Sequence, residues 1–497
     1  MNESKRYLSV LLCICMVVAS LVISKTCTMD SEEPVNRNND SLVVWYTDDT
    51  MTDYLSQMAV EYNEKHHIRV LPKLQSGDDY IESIYNASID NESAPDLYIV
   101  SNDALEKAVL SGTAIRVDET SEVLNETNFP QAALSAVTYD GQQVAYPYYF
   151  ETSALIYNKT YLHDMASDTV EALNADNPEN TEGGGDEVES EETQEDITDL
   201  PIDEQIEIRM NEAIPVTFDD LLSFANDYNA PEAVESVFKW DVRDLFYNFF
   251  FIGNYVDLGG VNGDNIESIN LYNLDAISAL KVYQDMNQFF SFESEDVTYD
   301  QVVEDFIQGK LVFATVTTDI VAKLKEATQA GDFKYEYGLT MIPDLNDEMD
   351  TRSLSVTNAL VVNGYSDKIA DANGFARFLC MDNAATLYEK TGKLPSKSNT
   401  VAEDDASYAF VEEYTYSVPM PKMMATSNFW LKMEDTFAKV WSGKDASGCL
   451  KELSEQVKMQ ITGSEVQEEY IEAKTEEESI EYLDEEALKE EAMNEEE

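Results

Sequence analysis

The sequence has few of the residues from which metal sites and disulfide frameworks are made. Its 497 residues include three histidines and five cysteines. Cys13, Cys15 and Cys27 lie near the N-terminus, which leaves two cysteines for the rest of the chain. Zinc sites need closely spaced cysteine and histidine ligands, and that spacing does not occur. We therefore expect no bound metal, and Cys380 and Cys449 form either two buried thiols or one disulfide.

Basic residues are also scarce. The chain has 32 Lys and Arg against 98 Asp and Glu, a formal net charge of -66. Such a surface repels nucleic acid and anionic lipid, which excludes a nucleic-acid-binding protein. The sequence lacks the G-x-S-x-G, P-loop and G-x-G-x-x-G motifs, and among so many carboxylates no catalytic pair stands out. We expect no enzyme activity, no catalytic residues and no cofactor.

The first 27 residues have the pattern of an export signal. Lys5 and Arg6 precede an apolar segment at 8–23, which is slightly short for the roughly 20 residues of a membrane span. Cys27 is a candidate for lipidation. Cleavage near this position, or retention as an uncleaved anchor, are the alternatives. Each places the folded part outside a bacterial cytoplasmic membrane, and lipidation or an uncleaved anchor would attach it to the extracellular face of that membrane through the N-terminus.

From residue 42 onward, apolar β-branched runs alternate with helical periods. This order predicts an α/β fold with largely parallel sheets. Ligands of such sheets collect beyond the carboxyl ends of the strands. Asp49 follows the first predicted strand and Asp103 follows the third. Either side chain could contact a ligand there, or could cap the helix that begins beside it.

The stretch at 141–162 organises the rest of the chain. It contains an aromatic run that is interrupted by Pro147 and is followed by Glu151. Proline has no backbone N–H, so this run is not expected in the middle of a sheet. We interpret it as a crossover between two lobes with a ligand cleft between them. Tyr148, Tyr149 and Glu151 are then candidate ligand-binding residues.

Two acidic segments depart from the alternating pattern. Residues 171–210 hold fifteen acidic residues and one basic residue, and residues 464–497 hold sixteen acidic residues and two lysines. Such segments repel themselves and bury little apolar surface. The chain is predicted to begin with a signal at 1–27 and a flexible tether at 28–41. Lobe I follows at 42–148, and lobe II at 149–342 includes a disordered insert at 167–213. The rest is a second part of lobe I at 343–395, a C-terminal helical part packing mainly on lobe II at 396–463, and an acidic tail at 464–497.

Two tryptophans are further binding candidates. Sugars are bound by aromatic faces and by planar polar groups. Trp430 follows a proline-rich segment, and Trp240 lies close to Arg243. We include all three residues among the candidates for ligand contact.

The order of these features resembles the extracellular solute-binding proteins of ABC importers, in the branch that includes the maltodextrin-binding protein. The motifs that carry this resemblance are Val43-Val44-Trp45, Ala94-Pro95-Asp96-Leu97, Val144-Ala145-Tyr146-Pro147 with Glu151, Leu155-Ile156-Tyr157-Asn158-Lys159, Phe306-Ile307-Gln308-Gly309-Lys310, Tyr337-Gly338-Leu339, Ile342-Pro343 and Asn428-Phe429-Trp430. The resemblance implies a two-lobed periplasmic-binding-protein fold with hinge crossovers.

The resemblance also implies a function. It places Trp430 where the family stacks on a sugar ring, and Asp49, Asp103 and Glu151 where the family binds sugar hydroxyls. Val100 stands where a second stacking tryptophan is expected, which argues against a long maltodextrin. We therefore expect a monomeric sugar receptor that delivers its ligand to a membrane permease. A binder of a non-sugar solute, and a surface-anchored binding or sensing protein without a permease, are the alternatives.

Overall fold

The computed structural model describes residues 41–90, 94–117, 122–176, 200–290, 297–423 and 428–472. The predicted signal, Cys27, almost the whole tether and most of the acidic tail lie outside these residues. In the part of the chain that is described, no helix is both long enough and apolar enough to cross a membrane.

Lobe I begins with strand–helix–strand units. Its elements are β1 (Ser41–Tyr46), α1 (Thr52–His66), β2 (Arg69–Leu74), α2 (Tyr80–Asp90), β3 (Leu97–Ser101), α3 (Leu105–Leu110), α4 (Gln131–Ala136), β4 (Thr138–Tyr139) and β5 (Gln142–Gln143). β1 pairs in parallel with β2 on one side and with β3 on the other. The predicted α/β alternation is confirmed here.

The chain then enters lobe II. The elements are β6 (Tyr146–Asn158), α5 (Lys159–Asp176), α6 (Ile202–Glu212), α7 (Phe218–Asp227), β7 (Ser236–Lys239), α8 (Leu274–Phe289), α9 (Tyr299–Ile307), β8 (Leu311–Thr317), α10 (Ile320–Ala330) and β9 (Tyr337–Thr340). β7 pairs in parallel with β8, whereas β8 and β9 both pair antiparallel with β6.

The last third of the chain returns to lobe I before it packs on lobe II. Its elements are β10 (Leu354–Val362), α11 (Ile369–Arg377), a π-helical turn (Phe378–Asp382), α12 (Ala384–Thr391), β11 (Leu394–Pro395), α13 (Tyr408–Tyr416), β12 (Val418–Pro419), α14 (Phe429–Trp441) and α15 (Ala446–Thr462). β10 runs antiparallel to β3 and to β6, because it comes back from lobe II in the opposite direction.

β6 is the strand that joins the lobes. Residues 146–152 pair with β10 of lobe I, and residues 153–158 pair with β8 and β9 of lobe II. The predicted crossover is therefore confirmed, as is the two-lobed α/β fold.

The expectation that Pro147 keeps this run out of a sheet is wrong, because β6 is continuous. The register with β10 shifts by one residue between Pro147 and Tyr149. Tyr148 therefore forms a bulge, which accommodates a residue without an N–H.

Both faces of the lobe I sheet are buried. Alternate residues of β1 belong to two different clusters: Leu42 and Val44 pack on one face, and Val43 and Trp45 on the other. This is the pattern expected of a parallel sheet that is covered by helices on both sides. A third cluster fills lobe II, where α8, α14 and α15 cover β7 and β8.

The acidic insert is narrower than predicted. Residues 167–176 belong to α5 and residues 202–212 form α6, so the predicted limits of 167–213 are wrong at both ends. The two helices pack together, with Ile206 and Met210 of α6 in the lobe II core beside Val170 of α5. The predicted limits were based on acidic composition alone. They overlooked apolar residues that recur at helical spacing between the charged ones. Residues 177–199 lie outside the described part.

Two further local predictions are wrong: the apolar aromatic residues at 239–260 predict a helix, and the prolines at 414–421 predict an extended segment. The aromatic segment at 239–260 is not a helix; it begins at the last residue of β7 and contains two short 3₁₀ turns, Leu245–Tyr247 and Phe249–Phe251. The segment at 414–421 begins inside α13, because Pro419 and Pro421 lie beyond the end of that helix. The predicted acidic tail also begins later than residue 464, since Glu468 pairs with Lys458 of α15 at 2.6 Å.

Candidate functional site

A cavity of about 610 Å³ lies between the two lobes, where β6 crosses from one to the other. Its lining comes from both lobes and is formed by Thr50, Tyr149, Phe150, Glu151, Asp244, Phe246, Tyr247, Tyr299, Asp300, Thr317, Thr318, Asp319, Ala322, Lys323, Val356, Thr391, Gly392 and Lys393. The cavity is of the size that takes a small molecule. We call it the interlobe cavity.

β6 supplies the centre of the interlobe cavity. Tyr149 and Glu151 are two residues apart, so the pleat of the strand directs both to one face. Tyr149 is 3% exposed and its ring contacts that of Tyr148 edge-on, with centroids 5.4 Å apart. Glu151 is partly buried and receives a long hydrogen bond of 3.5 Å from Asn358 Nδ2.

Lobe I closes one side of the cavity with an ion pair. Asp48 follows β1 and caps the 3₁₀ turn that comes next. Gly392 ends α12 in the left-handed conformation, with φ at 74°. The chain turns there, and Lys393 Nζ lies 2.6 Å from Asp48 Oδ2 and 5.0 Å from the centre of the Tyr149 ring. Burial raises the pKa of Asp48, but the hydrogen bonds from Lys393 and Thr50 outweigh it and leave that pKa below its usual range.

Lobe II closes the other side with a hydrogen-bonded group at the carboxyl end of β8. The Tyr299 hydroxyl donates to Asp319 Oδ1 at 2.5 Å, and Thr317 Oγ1 donates to the same oxygen at 2.6 Å. Lys323 Nζ lies 2.8 Å from Asp319 Oδ2. The ring of Tyr247 stacks on that of Tyr299, with centroids 4.7 Å apart. Burial and the adjacent carboxylate of Asp319 raise the pKa of Tyr299, which keeps its hydroxyl a donor.

The charge of Glu151 is incompletely balanced. Burial raises the pKa of this carboxyl, and the neighbouring Asp48 and Asp319 raise it further. Lys393 lowers it, yet Lys393 is already held by Asp48. A ligand group that donates hydrogen bonds to Glu151 would therefore satisfy an acceptor that the protein leaves largely free.

Two smaller cavities adjoin the interlobe cavity. One, of about 410 Å³, lies in lobe I and shares Tyr149 with it. The other, of about 480 Å³, lies in lobe II and shares Asp244. Arg243 and Leu431 line the lobe II cavity, and Tyr80 lines the lobe I cavity. A ligand larger than a monosaccharide could extend into either.

Two of the predicted site residues need correction. Trp240 is fully buried, and its Nε1 donates to Asn248 Oδ1 at 2.9 Å inside the lobe II core. Tyr148 is 1% exposed in the bulge of β6. Neither side chain lines a described cavity, because each faces the core and not the cleft. The charged residue Arg243, close to Trp240 in the sequence, therefore did not indicate that Trp240 contacts a ligand.

The other predicted residues lie around the cavities. Tyr149 and Glu151 line the interlobe cavity, and Arg243 lines the lobe II cavity. Asp49 is exposed in the turn after β1. Asp103 accepts a hydrogen bond of 2.5 Å from Ser101 Oγ. Trp430 is partly buried beside Phe429 in α14, one residue before Leu431.

Sequence reasoning missed most of the lobe II wall. Tyr247 and Tyr299 were not singled out, although Tyr299 follows a helix-capping threonine, Thr298. Asp319 follows the buried strand β8, and this position was the available signal for a site residue. Lys393 lies in a Gly-containing loop, where its partner Asp48 could not be identified from sequence separation.

The fold and the cavity between its lobes are those of a solute-binding protein. The sequence profile of the bacterial extracellular solute-binding protein family matches residues 57–413. The chain therefore belongs to this family. A comparison with curated protein sequences finds no significant match.

Several solved structures share the fold. A cyclo/maltodextrin-binding protein complexed with maltotetraose is 18% identical, with a TM-score of 0.66 over 86% of this chain and 98% of its own. An extracellular solute-binding protein from Staphylococcus aureus in complex with maltose is 17% identical, with a TM-score of 0.66 over 85% and 98%. The maltose-binding periplasmic protein of Listeria monocytogenes in complex with maltose is 18% identical, with a TM-score of 0.62 over 86% and 99%.

Proposed function

We propose that this protein is the extracellular receptor of an ABC-type importer and captures a carbohydrate between its two lobes. The observation that carries the proposal is the interlobe cavity, which is lined by aromatic rings and planar polar groups from both lobes. Aromatic rings suit the C–H faces of a sugar, and carboxylates accept hydrogen bonds from its hydroxyls. The sugar complexes among the similar structures support the same ligand class.

Capture occurs by closure of the lobes. Tyr149 and Glu151 stand on the crossover strand, Lys393 on lobe I, and Tyr299 and Asp319 on lobe II. A ligand engages all of them only when the lobes are together, so it stabilises the closed state by the contacts that the open state lacks. The closed form then presents both lobes to the permease, which releases the ligand.

The protein acts on the outer side of the membrane as a monomer, attached through its N-terminus, with Cys27 as the lipidation candidate. It binds its solute without converting it. Asp49, Asp103 and Trp430 are proposed as contacts for a ligand that extends beyond the interlobe cavity. A ligand recovered unchanged after incubation with the protein is the expected result, and any product would contradict this part of the proposal.

A thermal-shift screen tests the ligand class. The purified chain is heated with mono- and oligosaccharides, amino acids and polyamines over a range of concentrations. A ligand that binds the native state stabilises it by about 2.7 kcal/mol at a hundred times its Kd. We expect a concentration-dependent rise of the midpoint with at least one sugar. A rise with an amino acid and with no sugar would contradict the proposal.

A further inference from the structure

We propose that the solute in the interlobe cavity carries a protonated amine, which lies against Glu151. This inference rests on the proposed carbohydrate-binding function and narrows the ligand to an amino sugar. Three observations carry it: the balance of charge in the cavity, the pairing of its lysines, and the hydroxyls that are left without partners.

The lining of the interlobe cavity carries more negative than positive charge. Among its described residues, Glu151, Asp244, Asp300 and Asp319 bear carboxylates, whereas Lys323 and Lys393 bear ammonium groups. Asp300 lies at the rim, where its side chain is 93% exposed, and the remaining lining still has three carboxylates against two ammonium groups. A neutral sugar would leave this excess unchanged, and a cationic group would reduce it.

Both lysines are already occupied by other carboxylates. Lys323 pairs with Asp319 at 2.8 Å, and Lys393 pairs with Asp48 at 2.6 Å. Each ammonium also lies over an aromatic ring, that of Tyr299 for the first and that of Tyr149 for the second. Glu151 has no ion pair among the described residues. It therefore stands in a partly buried position without the countercharge that such a carboxylate ordinarily has.

Tyrosine hydroxyls of the interlobe cavity and of the adjoining lobe I cavity provide the remaining contacts that an amino sugar needs. Tyr149 is 3% exposed, and its hydroxyl has no hydrogen-bond partner among the described residues. The buried hydroxyl of Tyr80, which lines the adjoining lobe I cavity, also has no partner in the described part of the chain. These groups can bond the neutral hydroxyls of a sugar while Glu151 accepts from its ammonium group.

A bound metal ion would also neutralise the excess negative charge of the interlobe cavity. No group of three or more potential ligand side chains is close enough to hold one within the described residues. An ammonium group needs fewer acceptors than a metal ion, because it has only three N–H donors to satisfy and carries a single charge.

The test compares matched sugars by isothermal titration calorimetry with the full chain. Glucosamine, galactosamine and mannosamine are each compared with the parent hexose and with the N-acetyl derivative, which has no charge. A hydrogen bond to a charged group favours the amine by about tenfold to a hundredfold in Kd. We expect that preference, and its loss on N-acetylation.

Two variants test whether Glu151 causes the preference for the amine. Glu151→Gln removes the charge but keeps the shape, so it should abolish the preference for the amine. Glu326→Gln makes the same chemical change on the exposed surface of α10 and should leave the preference intact. A preference that persists in Glu151→Gln would overturn the assignment to Glu151.

The outcomes separate this inference from the proposed function. Equal affinity for the amino sugar and its parent hexose would overturn the inference and leave sugar binding in place. Binding of no sugar, charged or neutral, would overturn the proposed function itself. Binding of calcium with displacement of the sugar would also overturn the inference, because the countercharge would then be a metal ion.

Discussion

Charged side chains lie between the lobes in two places, the interlobe cavity and the buried position of Lys422. The two places differ in how far hydrogen bonds within the protein satisfy the charge. In the cavity, Glu151 keeps free acceptor capacity. Outside the cavity, Lys422 Nζ donates to the carbonyl of Ser135 in α4 at 2.9 Å. It also donates to the carbonyl of Asn262, in the loop after residue 256. A charge that the backbone already satisfies holds the lobes together, whereas one left unsatisfied is available to a ligand.

Glu413 belongs with Lys422 in this comparison. It is 4% exposed in α13, and its carboxylate accepts hydrogen bonds from Ile342 N at 2.5 Å and Ser353 Oγ at 2.7 Å. Both partners lie on the stretch that leads from β9 back to β10. Burial raises the pKa of Glu413 to about 7, and burial lowers that of Lys422 to about 7. The two structural charges should therefore govern stability against pH, and the cavity charges should govern binding.

The largest expected effect comes from removing the ring at the centre of the cavity. Tyr149→Ala deletes a buried side chain that contacts Tyr148 and Lys393. It should destabilise the chain by about 3–5 kcal/mol and reduce ligand affinity by about a hundredfold. Urea unfolding and calorimetric titration measure the two effects. Tyr149→Phe keeps the ring and should keep the stability, and a loss of stability as large as that of the alanine variant would contradict the packing role.

The second effect is the pH dependence caused by Lys422. Its pKa is lowered to about 7 in the folded chain, and the unfolded chain has the ordinary lysine value near 10.4. Between these values the unfolded state binds more protons, so stability should rise with pH by up to about 1.4 kcal/mol per unit. Below pH 7 both states are protonated and this contribution is constant.

Urea unfolding between pH 7 and 10 checks this dependence. Lys422→Met should remove the rise, whereas Lys444→Met, an exposed lysine, should retain it. The same slope in the Lys422 variant and the wild type would show that Lys422 is not the group that titrates.

The third effect has the opposite sign. The pKa of Glu413 is raised to about 7 in the folded chain and is near 4.3 when unfolded. The folded state binds more protons in this window, so stability should fall by up to about 1.4 kcal/mol per unit as pH rises from about 4.5 to 7. Glu413→Gln should remove the fall, and Glu412→Gln, its exposed neighbour, should not. An unchanged profile in Glu413→Gln would contradict the assignment.

The smallest effect concerns the outer part of the site. Trp430 is partly buried next to the lobe II cavity, and not in the interlobe cavity. Trp430→Ala should therefore weaken an oligosaccharide by about tenfold and change the affinity of a monosaccharide little. Titration with a matched mono- and trisaccharide separates the two. Equal weakening of both ligands would place Trp430 at the centre of the site.

Local patterns predicted most of the fold. The strand Ser41–Tyr46 coincides with an apolar β-branched run, and the helix Phe429–Trp441 coincides with a segment of helical apolar spacing. Such patterns predict their elements well because they have few alternatives. Patterns failed where burial was nearly complete. The run Phe249–Phe251 is buried all round, so its residues show no periodicity from which 3₁₀ turns could be distinguished from an α-helix.

The candidate site was predictable only along β6. Tyr149 and Glu151 could be chosen because an aromatic run, a proline and a carboxylate lie together in the sequence. The pairs that complete the cavity join residues far apart in the chain, such as Asp48 and Lys393. Helix and strand periodicity carry no information about such pairs, and Trp240 shows that an aromatic residue among charges can be wholly core.

Hydrogen–deuterium exchange with and without the best-binding sugar of the thermal-shift screen tests the central claim most directly. A ligand between the lobes should protect four segments together: 149–151 on β6, 244–247 and 317–323 on lobe II, and 391–393 on lobe I. Simultaneous protection on both lobes is the result that capture in the interlobe cavity predicts. Protection confined to one lobe, or to surfaces outside the cavity, would contradict it.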